Sequence, residues 1–150
     1  MLTIRDREYL RVIFLLNGII KPVGPSRLSI YTGISKEAAY QEMRRLEALN
    51  LGEYVFKKGL KLNDIATAIV ENDVKKHHIL EKFLKKSLNI PHKEACIESS
   101  KIDPYISEKL MKNIANKISP TNKGYCGCNL SSPIKPEDLK KCNWIKKKNC

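Results

Sequence analysis

Five cysteines and three histidines carry most of the chemistry that this 150-residue chain can offer. Cys126, Cys128, Cys142 and Cys150 fall together near one end, while Cys96 stands alone. Four thiolates suit a tetrahedral Zn²⁺ ion or a [4Fe–4S] cluster, each of which takes Cys₄ ligation. The order is C-x-C, thirteen residues, Cys142, seven residues, Cys150. It matches neither the paired C-x-x-C of zinc ribbons nor the ferredoxin C-x-x-C-x-x-C run, so both groups stay open. Gly127 between the first two thiols allows the tight bend that brings them together. Zinc would fold the tail, whereas a cluster would make it answer to redox or iron–sulfur status. The plain alternative is free or disulfide-linked cysteines in a disordered end.

A second set of donors precedes the tail. His77, His78 and Glu81 share one helical stretch, and His77 and Glu81 lie four apart on one face, where imidazole and carboxylate converge on one cation. Beyond them come His92, Glu94, Cys96 and Glu98; a short helix would put His92 and Cys96 on one face. The competing reading is a surface His–Glu pair and a buried free thiol. The pattern lacks a C-x-x-C, and no general base sits near Cys126 or Cys128 in sequence, so a thiol oxidoreductase is not expected. No enzyme activity and no small-molecule substrate are expected.

These donors need elements to hold them. Ile4, Tyr9, Leu10, Ile13, Phe14 and Leu16 recur as a helical stripe stopped by Asn17-Gly18. Ser26 can cap a short helix to about Tyr31, and Thr32-Gly33 is a turn. Ser35 opens the next helix, whose buried face is Ala39, Met43, Leu46 and Leu49. Two helices about a tight Gly turn, the second cationic on its free face, form a helix-turn-helix pattern. Glu53–Phe56 and Leu60–Leu62 are strand-like around Lys57-Lys58-Gly59, a basic hairpin wing. Asn63 or Asp64 caps a long helix to about Leu88. Pro91 opens another segment, and Pro104 a last helix over about Tyr105–Ile118, stopped by Pro120. Its stripe of Ile106, Leu110, Ile114 and Ile118 can pack internally or across a two-fold. The expected class is mainly α: a winged helix-turn-helix over 1–63, a helical dimerisation and metal-binding domain over 64–120, and a Cys-rich tail over 121–150.

Charge fits this layout. Lys+Arg number 28 against 16 Asp+Glu, a formal +12, and residues 101–150 hold 11 of the bases and 4 of the acids. Such a balance favours a polyanionic partner, double-stranded DNA before a membrane surface. Lys140-Lys141 and Lys146–Lys148 surround the tail cysteines and would offset the −2 of a Cys₄-bound site. No apolar run approaches the ~20 residues of a membrane span, and Met1–Arg7 lacks the apolar core of a signal peptide. A cytoplasmic protein with reduced thiols is expected.

The sequence resembles the metal-dependent repressors of the diphtheria toxin repressor and manganese repressor (DtxR/MntR) type. The resemblance is carried by Glu8-Tyr-Leu-Arg-Val-Ile13, the helix-turn-helix through Leu46, and Lys76-His-His-Ile-Leu-Glu-Lys-Phe-Leu84. It continues through His92-Lys-Glu-Ala-Cys96, Ser119-Pro-Thr121 and Ser132-Pro-Ile134, so it covers nearly residues 1–134. It implies a winged-helix DNA-binding domain, a helical domain holding metal, and a homodimer on an inverted-repeat operator. With no room for a C-terminal SH3-like domain, it implies a short form. His77, Glu81 and His92 fall where the family builds one divalent site, taking Fe²⁺ or Mn²⁺. Glu8 and Cys96 fall at the other, regulatory site. There Ser99-Ser100 stands where the family has Glu-His, so two strong ligands are hydroxyls, poor partners for a transition metal. Glu98 stands one position earlier, a swing of about 100° on a helix, which leaves a remnant site of Glu8, Cys96 and Glu98.

The function expected is a metal- or iron–sulfur-responsive DNA-binding regulator, a repressor acting as a homodimer. Ser35, Lys36, Ala38, Tyr40, Gln41 and Arg44 would face the major groove, Gln41 toward adenine and Arg44 toward guanine or phosphate. Lys57 and Lys58 would hold the backbone from the wing. The alternative is a metal-handling or electron-transfer protein whose winged helix serves docking.

Overall fold

A computed structural model describes residues 1–118, 123–139 and 142. Cys150, the lysines at 140–141 and 146–148, and the Pro120 helix stop lie outside the described residues. The chain is mainly helical and divides after Val70 into two compact units.

The first unit is a winged helix-turn-helix. Thr3 and Asp6 close a capping box on α1 (Ile4–Leu15): the Asp6 N–H donates to Thr3 Oγ1 at 3.1 Å and the Thr3 N–H to Asp6 Oδ2 at 2.7 Å. α2 (Pro25–Thr32) begins on a proline, whose missing N–H is no loss in a first turn. It therefore starts at Pro25, ahead of the Ser26 cap that the sequence suggests. Gly33 ends it in the left-handed region at φ 70°. Ser35 then caps α3 (Lys36–Ala48), accepting the Ala38 N–H at 3.1 Å. The apolar faces of these helices meet in a core of Leu10, Ile13, Phe14, Leu28, Ala39, Met43 and Leu46, all fully buried.

The wing is β1 (Gly52–Val55) paired antiparallel with β2 (Gly59–Leu62), in register from Gly52–Leu62 to Val55–Gly59. Lys57 and Lys58 stand exposed at its tip. Val23 adds a third backbone pairing, exchanging hydrogen bonds with Leu60 at 2.9 and 3.0 Å. The sequence marks that segment only as a proline-punctuated loop.

α4 (Asp64–Leu88) starts where Asn63 Oδ1 accepts the Ala66 N–H at 3.0 Å. Within the second unit, its later turns are joined by α5 (His92–Ile102) and α6 (Glu108–Lys117). The last helix is shorter than its apolar period suggests. Asp103–Tyr105 forms a separate 3-10 turn, and Ser107 caps α6 by accepting the Leu110 N–H at 3.2 Å. Met111 and Ile114 pack on Leu80 with Ile79, Phe83, Leu84 and Ile106 around them. Of the two destinations open to this stripe, those residues take the internal one, while Leu110 is 49% exposed. The 123–139 segment is tied to α4 through Glu71, which accepts the Ile134 N–H at 2.8 Å and the Ser132 hydroxyl at 3.0 Å. Among the described residues no helix is long and apolar enough to cross a membrane.

Candidate metal centres and nucleic-acid interface

Consecutive histidines on α4 face different donors, because neighbouring helix positions point about 100° apart. His77 turns toward Glu81 and Cys96, and the three donor atoms lie within 4.8 Å of one another with all three residues buried. Its Nε2 is 3.5 Å from Cys96 Sγ and 3.6 Å from Glu81 Oε2. On the other side of the ring, Nδ1 lies 3.0 Å from Asp103 Oδ2. A carboxylate on one ring nitrogen fixes the ring and aims the other nitrogen, as is usual behind a metal-binding histidine.

His92 joins this group from α5, its Nε2 2.8 Å from Glu81 Oε1. Among the described residues, neither Glu81 oxygen nor His92 Nε2 makes a hydrogen bond of good geometry, although these atoms are buried. Burial pushes the Glu81 carboxyl up to about 7, against the opposing pull of His78, Lys85 and Lys82. A buried carboxylate with poorly aligned partners beside two imidazoles fits a divalent cation.

His78 points the other way. Its Nδ1 is 2.8 Å from the Val74 carbonyl, which can only accept, so that nitrogen carries the proton and Nε2 faces the sulfurs. Nε2 lies 3.3 Å from Cys126 Sγ and 3.8 Å from Cys142 Sγ, and Cys126 and Cys128 bring their sulfurs to 3.0 Å. The bend between those cysteines uses Gly127 at φ 84°. Burial pulls the His78 imidazolium down, but Cys126, Cys128 and the Val74 carbonyl outweigh it and raise its pKa to about 10. The Cys126 thiol is pushed far down by Cys128, Cys142 and His78, and that of Cys142 is pushed up by Cys126 and Cys128.

Of the sequence-derived tail ligands, the structure brings Cys126, Cys128 and Cys142 together with His78; Cys150 lies outside the described residues. Of the remnant donors, Cys96 joins His77 and Glu81, whereas Glu98 turns to Lys101, 2.6 Å away. Glu8 is exposed on α1 in the first unit. Ser100 donates its hydroxyl to the Ile97 carbonyl at 2.6 Å, back into its own helix. The sequence reading names His78 among the helix donors but gives it no site, and it leaves Asp103 out. The only signal for His78 is its place beside His77, and none marks Asp103, which is 26 residues distant from its histidine.

On the winged helix, Ser35, Lys36, Tyr40, Gln41 and Arg44 are exposed and Ala38 is half-buried. Arg44 is paired with Glu47 at 2.6 Å and lies 5.4 Å over the Tyr54 ring, which meets Tyr40 edge-on at 5.3 Å. Arg45, beside it, is turned inward to Asp6, with nitrogen–oxygen distances of 3.0 and 3.2 Å. α3 and the wing thus meet at a basic and aromatic surface.

Residues 66–126 match the family model described as the iron dependent repressor, metal binding and dimerisation domain. No curated protein matches the chain in sequence. Among solved structures, the hypothetical protein SSo2273 from Sulfolobus solfataricus aligns with a TM-score of 0.74 and 21% identity, over 86% of this chain and 98% of that one. ScaR with bound Zn²⁺ aligns at 0.73 and 20% identity, over 87% of this chain and 60% of its own. T. acidophilum IdeR gives 0.67 and 16%, over 89% and 62%. The chain thus spans about three-fifths of ScaR and IdeR and nearly all of SSo2273. At these identities the solved structures speak for the fold. The resemblance to DtxR/MntR-type metal-dependent repressors therefore holds, carried by the family match over residues 66–126 and by the fold the chain shares with those repressors.

Proposed function

We propose that the protein is a metal-responsive DNA-binding regulator, a repressor that acts as a homodimer on an inverted-repeat operator. The observation that carries this reading is the joining, in one chain, of a winged helix with a basic wing to a segment matched by a metal-binding and dimerisation family. The aligned proteins include a manganese regulator and a metal-dependent transcriptional regulator, and regulators rather than enzymes support a non-enzymatic role in the cytoplasm. In this reading α3 lies in the major groove, presenting Lys36, Tyr40, Gln41 and Arg44, while Lys57 and Lys58 contact phosphates. In this reading the functional segments keep the bounds 1–63, 64–120 and 121–150, although the compact units divide after Val70.

His77, Glu81 and His92, with Cys96 against them, are the residues that would hold the sensed divalent ion. An ion there compensates the buried Glu81 charge and draws α4 and α5 together through their side chains. The response requires different metal affinity in the DNA-binding and free states. The test is a shift assay on genomic fragments selected by the protein, with and without Fe²⁺ or Mn²⁺, over a range of salt. Salt-dependent, metal-dependent binding to a palindromic site is expected. Metal binding without salt-dependent DNA affinity would instead make this a metal-handling protein whose winged helix serves docking.

A further inference from the structure

The thiolate set falls outside the positions at which the family resemblance implies metal, and it has a fourth member that the cysteine spacing does not reveal. We propose that His78, Cys126, Cys128 and Cys142 form a mononuclear Zn²⁺ site, separate from the His77 group, that clips the tail segment onto α4. The site stands on its own geometry and does not depend on the DNA-binding reading.

Four observations support one ion rather than a cluster or idle thiols. The first is size. All four donor atoms lie within 4.8 Å of one another, with separations of 3.0, 3.3 and 3.8 Å among them. With Zn–S near 2.3 Å and Zn–N near 2.0–2.1 Å, tetrahedral edges come to about 3.8 Å between sulfurs and about 3.5 Å between sulfur and nitrogen. An iron–sulfur cluster distributes its ligands over separate irons and so holds them further apart than a single ion does.

The second is the histidine. Val74 holds Nδ1 at 2.8 Å and leaves Nε2 as the atom offered to the sulfurs, the outer hydrogen bond that orients a metal-binding imidazole. The third is Gly124. A Cβ there would lie 2.5 Å from His78 Cδ2, 3.0 Å from Nε2 and 3.2 Å from Cys126 Sγ, so bare backbone is required where the tail crosses the imidazole. The fourth is burial: Cys128 and Cys142 are 0% and His78 1% exposed. Three soft thiolates and one imidazole in tetrahedral reach select Zn²⁺ over the harder Mn²⁺. The bound site carries net −1, and Lys85 and Lys82 stand near it, 3.9 and 6.0 Å over the ring of Tyr125.

The test uses the full chain, stripped of metal under reducing conditions and titrated with Co²⁺ and then Zn²⁺. One equivalent of Co²⁺ at this site is expected to give thiolate-to-cobalt charge transfer and the intense d–d bands of tetrahedral cobalt, both erased by Zn²⁺. His78→Gln should weaken Zn²⁺ binding at least about tenfold. His78→Cys, which keeps a ligand and so guards against mere misfolding, should retain the tetrahedral bands and strengthen the charge transfer. Cys126→Ser should weaken the charge transfer. Three results would overturn the proposal. One is iron and acid-labile sulfide in a brown, anaerobically purified protein. Another is a cobalt spectrum indifferent to both His78 variants. The third is loss of the spectrum in Cys150→Ser with His78→Gln unaffected. None of these readouts involves DNA, so failure here leaves the operator reading standing, and failure of operator binding leaves the zinc site standing.

Discussion

At the scale of the residue, Asp6 shows how one carboxylate can serve two elements. It closes the α1 capping box and also receives Arg45 of α3, and its own surface is 1% exposed. Burial pushes its pKa up, but the Arg45 guanidinium and the two Thr3 groups outweigh burial and hold it below the ordinary 3.8. A carboxyl lowered by folding contributes stability that is whole above its unfolded value and is lost as pH falls through the folded one. Urea denaturation of the wild type should therefore show stability falling below about pH 4. Asp6→Asn should be less stable at neutral pH and should show a flatter acid limb. An acid limb of unchanged slope in the variant would place the titration elsewhere.

At the scale of the element, the proposed contact with DNA would be divided between α3 and the wing. Arg44 is held by Glu47 and the Tyr54 ring, and in the proposed complex it would exchange these partners for a base edge or phosphate. Arg44→Ala should lower operator affinity by about 1–3 kcal/mol if it reads a base, and an unchanged isotherm removes it from the recognition set. Lys57→Ala or Lys58→Ala should weaken binding evenly across sequences and reduce the salt slope by about 1. In the helical unit, Leu80 is 2% exposed and supports Met111 and Ile114. Leu80→Ala leaves a cavity between α4 and α6 and should cost about 2–5 kcal/mol in chemical denaturation.

At the scale of the whole molecule, the tail segment draws on a different source of stability from the helices of either unit. The first unit buries Leu10, Ile13, Phe14, Met43 and Leu46 and the second packs Leu80 with Met111 and Ile114, whereas residues 123–139 and Cys142 combine a few buried apolar side chains, such as Ile134 and Leu139, with the Cys–His cluster. Chelation is therefore expected to act locally. Metal-stripped protein should be cut by proteases or exchange amide hydrogen faster within 123–139, while the winged helix keeps its protection. Equal loss of protection in both units would show instead that the metal supports the entire fold.

Much of this organisation was legible because it is local. The Ser35 cap, the Ala39–Met43–Leu46 face, the Gly33 turn and the Lys57-Lys58 tip each follow from backbone preference and side-chain period within a few residues. The His77–Glu81 spacing was legible for the same reason, since a helix places positions four apart on one face. The cysteine count announced a thiolate site, but counting sulfurs pointed to a fourth cysteine and did not choose between zinc and a cluster. The tertiary structure alone decided that His78, 48 residues before Cys126, stands within ligand distance of the sulfurs, and that Asp103 stands behind His77. The same holds for Val23 beside Leu60 and for the split of Asp103–Tyr105 from α6. Residue order fixes which groups a helix turn presents. Which distant segment returns to meet them depends on burial and packing across the fold, and no local period records that.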